Sequence, residues 1–331
     1  MARTGFPGLL PGSGRARGDA DRASGRARAE DGGADLREVG LGLQSDKRPE
    51  EYVALTQRAE AAGFDVISVY HDLLFQPAIF PLLVIASATE HVRLGPAALN
   101  PSTLHPVELA GQAAALDLAS GGRAYLGLVT GAWLDRLGLE ARAPVARMRD
   151  AVEVVRRLFA ADRSGFAGDH FSLAPGAGFE YEPLRPRIPL MIGTWKPRMA
   201  ALAGDVANEV KIGGCANPRM VELMRSWIGN DDVGIVVGAV TVVDEDGAAA
   251  RERALLEVAK YLEVVGRLDP TIEGAPPLDK FAIAGTPEEV AAHALRLYEA
   301  GVKRVEFGTP QGLTTALGVE LLCDRVLPLL K

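Results

Sequence analysis

The chain has 331 residues, is 48% hydrophobic and carries a formal net charge of −7. That length suffices for one barrel-sized domain or two ordinary ones around a large apolar core, and the acidic balance argues against a nucleic-acid surface. No apolar run reaches the roughly 18 residues of a membrane span, neither of the two cysteines belongs to a CxxC, and the five histidines show no HExxH spacing. A membrane partner, a disulfide framework and a metal site are therefore not expected, and a soluble cytoplasmic protein is.

Residues 1–35 are Gly, Ala and Arg with scattered acids and almost no large apolar side chains. Such a composition cannot bury enough surface to fold alone, so a disordered extension is expected there, with one domain over residues 36–331. A strand is predicted over residues 39–43, then a helix over 49–62 that Gly63 stops. Residues 66–70 read as the second strand and 81–89 as a helix. Residues 92–99 form a buried strand ended by Asn100-Pro101, Pro106 opens an Ala-rich helix, and 123–129 is a fourth strand closing on Thr130-Gly131. Strand, helix and strand within about 38 residues make a parallel βαβ unit.

The same rhythm continues. An amphipathic helix over 143–161 is followed by a Gly- and Pro-rich excursion over 162–187, then a fifth strand over 189–194. A short helix over 197–204, a sixth strand over 209–214, a helix over 218–228 and a seventh strand over 234–243 come next. A long helix over 247–265 and a second irregular excursion over 266–283 lead to a helix over 287–300 with Thr286 or Gly285 as its cap. Residues 302–308 are the eighth strand, and a terminal helix covers 313–330. Eight strands alternating with helices match a (β/α)8 TIM barrel with insertion segments; a doubly wound open sheet is the alternative, but no GxGxxG follows the first strand.

In such a barrel, function sits at the C-terminal strand ends. Those ends carry Gln44, Tyr70-His71-Asp72, Asn100-Pro101, Thr130-Gly131 with Trp133 close behind, Thr194-Trp195-Lys196, and Gly213-Gly214-Cys215. Flat aromatics, amides, hydroxyls and glycines suit a large planar ligand better than hydrolysis by two placed carboxylates. The sharpest feature is Gly193-Thr194-Trp195-Lys196-Pro197-Arg198. Pro197 fits a first helical turn, so free N–H groups and two cations would face the mouth. This reads as a phosphate seat, or as a helix start with two solvated cations. His71 reads either as a group that hydrogen-bonds a ligand and passes a proton or as a structural residue. His91 and His293 read as surface residues, and His105 as the opening of a helix. Trp133 and Trp195 either plug the barrel top or stack on a ring.

On the motifs LGPAALNP, LDLASGGRAYLGLVTG, RMRDAVEVVRRLF and PLMIGTWKPRMAALAG, residues 39–331 resemble the bacterial luciferase-like superfamily, a (β/α)8 group using flavin or deazaflavin. The pattern is most similar to the coenzyme F420-dependent branch that includes methylenetetrahydromethanopterin reductase. The resemblance implies an F420-dependent oxidoreductase that moves a hydride between the deazaflavin C5 and a small organic substrate, in a homodimer. An FMN-dependent monooxygenase and a non-catalytic flavin-binding member are its alternatives. Residue by residue, it places His71 as the catalytic histidine of an Asp-His pair, with Tyr70 here in place of the acid. It places Ala97 and Ala98 at a non-proline cis peptide behind the ring, and Thr130 and Gly131 at the TG of F420 enzymes, where luciferase has an arginine for Thr130. Ala132 stands where F420-dependent sugar-phosphate dehydrogenases have a glutamate, which argues against that substrate class. Gly193, Thr194, Trp195, Lys196, Pro197 and Arg198 fall where the family holds the cofactor phosphate, and Trp133 and Gln44 face the substrate.

Overall fold

Side chains alternate between the two faces of a strand, and in this chain the two faces carry different chemistry. The structure is a computed structural model that describes residues 37–140 and 142–331; the extension expected over residues 1–35 lies outside them. Its strands and helices are β1 (Glu38–Leu43), α1 (Pro49–Ala62), β2 (Val66–Val69), α2 (Ile79–Ala88), β3 (Arg93–Pro96), α3 (Pro106–Ala119), β4 (Leu126–Leu128) and α4 (Pro144–Phe159). There follow β5 (Phe166–Ala167), β6 (Ser172–Leu173), β7 (Leu190–Gly193), α5 (Pro197–Val206), β8 (Glu209–Gly213), α6 (Pro218–Ile228) and β9 (Gly234–Val243). The last are α7 (Gly247–Ala259), α8 (Leu262–Val265), β10 (Ala282–Gly285), α9 (Pro287–Glu299), β11 (Arg304–Gly312) and α10 (Thr315–Leu321).

Parallel pairing runs β3-β2-β1-β11-β9-β8-β7-β4. Parallel bridges from Leu94 to Ala124 and from Leu99 to Leu128 then join the two ends. Eight parallel strands therefore close on themselves, which rules out the open sheet. The helix starts follow from local chemistry. Proline occupies the first turn of α1, α3, α4, α5, α6 and α9, where a missing N–H costs nothing. Thr286 and Glu289 form a reciprocal capping box on α9.

Outward residues such as Leu41, Ile67, Leu94, Leu126, Ile192, Ile212, Val237 and Phe307 pack against the helices in the main core. The barrel interior is different. Its apolar part is small: Val66, Tyr125, Met191 and Val236, with Ala97 against them. Beside it sit buried charges. Arg304 is fully buried and reaches Glu209 at 2.9 Å and Glu38 at 3.3 Å. Glu209 also takes Arg93 at 2.9 Å and Lys303 at 3.0 Å. Burial alone would raise its pKa, but these cations outweigh burial and hold it at about 2.

Four predicted elements differ. The helix expected over 247–265 breaks at Lys260 and Tyr261 into α7 and α8, and the chain turns so that Tyr261 packs on Gly214. The second excursion contains a 3₁₀ turn at Leu278–Lys280 and the strand β10, which pairs with β9. The first excursion contains the β5–β6 hairpin. The terminal helix ends at Leu321 and widens into a π turn over Leu322–Val326. Pro328 explains this: it lacks an N–H, and its ring would strike the carbonyl of Asp324 in a regular helix. Among the described residues no helix is long and apolar enough to cross a membrane.

Candidate active site

The floor of the mouth is built from inward positions of β2, β8 and β11. Lys211 and Glu306 are buried and form an ion pair with a short hydrogen bond. Ser68 Oγ donates to Glu306 at 2.5 Å, so its remaining contact, Tyr125 OH at 2.7 Å, must be a donor to it. Burial alone would raise the pKa of Glu306, but the charges of Lys211 and Arg304 keep it below the usual carboxylate range. Next to this layer is the half-buried Tyr70, with Lys211 Nζ over its ring, 5.1 Å from the centroid. Its hydroxyl occupies a slot between two glycines. A Cβ on Gly42 would overlap the hydroxyl, and one on Gly308 would lie 2.7 Å from it. Burial pushes the Tyr70 pKa well up, and the charges of Glu306 and Asp72 add to that, so the phenol stays protonated.

His71 follows directly. Its Nδ1 accepts the Ala78 N–H at 3.2 Å, and burial lowers its pKa while Asp72 partly offsets this. An accepting Nδ1 places the proton of the neutral ring on Nε2, which is left as a donor. Asp72 accepts from Gln44 Nε2 at 2.8 Å, and Gln44 Oε1 accepts the Ser45 N–H at 3.0 Å. The Gln44 amide thus ties the ends of β1 and β2 together.

On the β3–β4 side the Ala97-Ala98 peptide is cis, as the resemblance implies. Asn100 Oδ1 accepts the N–H groups of Ser102 and Thr103, both at 3.0 Å. Its amide packs on Gly131, whose φ of +89° suits glycine. Thr130 and Trp133 are half-buried, and the Arg136 guanidinium lies 5.7 Å over the Trp133 ring. At the start of α5, Thr194 Oγ1 accepts the Lys196 N–H at 2.9 Å. Pro197 has no N–H, so Arg198 and Met199 contribute the first-turn donors that have no partner within the helix. Lys196 and Arg198 are exposed.

Trp195 takes the first of its two sequence-based readings, and His293 departs from its own. Trp195 is buried and donates its indole N–H to the Gly213 carbonyl at 2.8 Å. Its indole N–H bond to the β8 end plugs the gap between β7 and β8. His293, expected at the surface, is buried with Nε2 2.8 Å from the Ala216 carbonyl. It lies on the α9 face that also buries Val290, Ala294 and Leu297. The sequence reading did not single out Ser68, Tyr125, Lys211, Tyr261 or Glu306. For Lys211 and Glu306 the signal is the pair of charges two residues apart in Glu209-Val210-Lys211 and Arg304-Val305-Glu306, which puts both charges of each strand on the inward face. Beside this floor β8 ends in open volume: a Cβ on Gly213 would meet no atom within 4 Å.

A family profile described as luciferase-like monooxygenase matches residues 30–304. The chain is 28% identical over 323 residues to the 5,10-methylenetetrahydromethanopterin reductase of Archaeoglobus fulgidus, covering 85% of this chain and 95% of that protein. The coenzyme F420-dependent tetrahydromethanopterin reductase from Methanopyrus kandleri superposes with a TM-score of 0.77 at 22% identity, over 89% of this chain and 99% of that one. An F420-dependent secondary alcohol dehydrogenase in complex with an F420-acetone adduct gives a TM-score of 0.75 at 21% identity, with the same two coverages.

Proposed function

The chain belongs to the luciferase-like monooxygenase family, and from that premise we propose that it is an F420-dependent oxidoreductase passing a hydride between the deazaflavin C5 and a small organic substrate. One observation carries this reading: an anion seat at the start of α5 stands beside a flat mouth floored by the neutral Tyr70 and left open at Gly213. A phosphate-bearing planar ring fits those parts, with its phosphate on the Arg198 and Met199 N–H groups and the cations of Lys196 and Arg198. The relatives named for F420 support this choice of ring.

When bound, the deazaflavin supplies a carbon that gives or takes a hydride. The chain's own residues bind, orient and exclude water. His71 Nε2–H would donate to the ring edge, and Ala97, Ala98, Thr130 and Gly131 would line the ring site. Trp133 walls the substrate space, and Gln44 holds Asp72 in place beneath it. A homodimer and a small-molecule substrate belong to the same proposal. An FMN-dependent monooxygenase on this barrel is the second reading, supported by the family description itself. Reduced F420 mixed with the protein and a panel of ketones, aldehydes and imines under nitrogen separates the two. Return of oxidised F420 in the presence of one substrate supports hydride transfer; turnover only on admitting oxygen overturns it.

A further inference from the structure

Residues 244–283 leave the barrel after β9, rejoin it at β10 and pack over the β8 side of the mouth. Three hydrogen bonds clip this segment to the loop after β8. Asn217 Nδ2 donates to Asp269 Oδ2 and to Thr271 Oγ1, both at 2.8 Å, and the Ala216 N–H donates to the Lys280 carbonyl at 2.8 Å. At the elbow between α7 and α8, Tyr261 lays its ring on Gly214, with Cε2 3.4 Å from where a Cβ would stand. Its hydroxyl is buried and has no hydrogen-bond partner among the described residues.

Native proteins keep few buried hydroxyls without a partner, because the lost hydration is not replaced. Six such side-chain atoms are found among the described residues, and three of them are arginine Nε atoms. Ser45 Oγ and Gln311 Oε1 also lie at strand ends, but Tyr261 is the one phenol of the six, carried on the segment that packs over β8, and it keeps its proton: burial pushes its pKa up and Glu257 adds to the shift. Tyr261 is also among the groups that oppose a charge on Tyr70. Glu306 and Asp72 oppose negative charge at the same place. Two protonated phenols beside the half-buried Asp72 and a buried Lys211–Glu306 pair whose charges already offset each other call for an acceptor that carries no charge of its own.

We propose that Tyr261 is a substrate-binding residue whose hydroxyl donates to an uncharged carbonyl oxygen of the substrate, with the Tyr70 hydroxyl as a second donor from the floor. This rests on the hydride-transfer reading, in which a carbonyl carbon exchanges the hydride. A carboxylate or phosphate in that position would meet Asp72 and find Lys211 already engaged by Glu306, and is disfavoured.

The test uses the full chain, Tyr261→Phe and Tyr70→Phe, with acetone, cyclohexanone and benzaldehyde as probes and cyclohexanecarboxylate as the charged control. Affinities are read from ligand-induced melting shifts without cofactor, and again with oxidised F420, which cannot reduce a ketone. Wild type should bind at least one carbonyl probe in preference to the carboxylate, and each variant should bind it at least tenfold more weakly. Without ligand, Tyr261→Phe should melt about 2 °C above wild type, because the change removes a buried group with no partner. No carbonyl binding by wild type, wild-type carbonyl affinity in Tyr261→Phe, or a melting point several degrees lower for Tyr261→Phe overturns the proposal. Carbonyl binding that depends on Tyr261 in a protein that does not bind F420 supports the proposal and overturns the cofactor reading.

Discussion

Lys211 and Glu306 bridge β8 and β11 over Gly238 of the intervening β9, and all three positions face the barrel interior. A Cβ on Gly238 would lie 2.7 Å from Lys211 Cε and 3.4 Å from Glu306 Oε1, so the absent side chain is the space in which the two charges meet. A charge so placed depends on its partner, since water cannot reach it. Glu306→Leu leaves Lys211 buried and unpaired and also strands Ser68, and it is expected to cost about 3–5 kcal/mol. The double variant with Lys211→Met should recover most of that loss. Urea unfolding of the three proteins measures it, and equal losses in the single and double variants would show that the pairing does not matter.

Glu209 predicts an acid limb of stability. Its pKa falls from the ordinary 4.5 to about 2 in the folded chain, because Arg304, Arg93 and Lys303 outweigh burial. The unfolded chain therefore takes up this proton first. The stabilisation is complete above about pH 4.5 and is lost as the pH falls through that value towards 2. Denaturant midpoints across this window should fall less steeply for Glu209→Gln than for wild type. Parallel slopes would remove Glu209 as a source of the acid limb.

The barrel is legible in the sequence because the outward positions of its strands are apolar and most helix starts carry a proline or a side-chain cap. The interior is not, for two reasons. Inward positions such as Gly40, Gly42 and Gly127 are glycines, so VGLGL and YLGLV read as plain apolar runs. The polar groups that fill the space come from distant strands: Lys211 and Glu306 are 95 residues apart, and Ser68 and Glu306 are 238 apart. The mouth cap is hidden in a similar way. Residues 266–283 look irregular because Asn217, 52 residues before Asp269, supplies the hydrogen bonds that hold them. Trp195 could be placed at a strand end from sequence, but the Gly213 carbonyl that takes up its indole N–H lies on the next strand.

The start of α5 predicts an effect of Arg198 on cofactor affinity. The N–H groups of Arg198 and Met199 lack helical partners, and Lys196 shares its N–H with Thr194. A phosphate placed there gains a charge-assisted hydrogen bond from the Arg198 guanidinium, worth about 1.5–3 kcal/mol. Arg198→Ala should weaken F420 binding roughly 10- to 100-fold, and Lys196→Ala should weaken it less. Fluorescence titration at fixed salt measures both. Unchanged affinity in Arg198→Ala would make this loop a plain helix start with solvated cations.

The same titration tests the choice of ring, F420 over FMN. Both carry a phosphate and a tricyclic ring, so the α5 seat serves either and cannot discriminate. The difference must arise at the ring edge and at Thr130. On the resemblance, the half-buried Thr130 stands where luciferase has an arginine, so FMN bound here would lack that cation. His71 offers Nε2–H as a neutral donor, since burial lowers its pKa and Nδ1 is engaged by Ala78. The hydroxyl-bearing edge of a deazaflavin and its longer tail also gain from a mouth that is open at Gly213. F420 should therefore bind at least tenfold more tightly than FMN, a difference of about 1.4 kcal/mol. Thr130→Arg should narrow or reverse the gap by strengthening FMN. Tighter FMN binding to wild type would move the chain to the monooxygenase reading, and a Thr130→Arg variant with an unaltered ratio would show that this position does not select the ring.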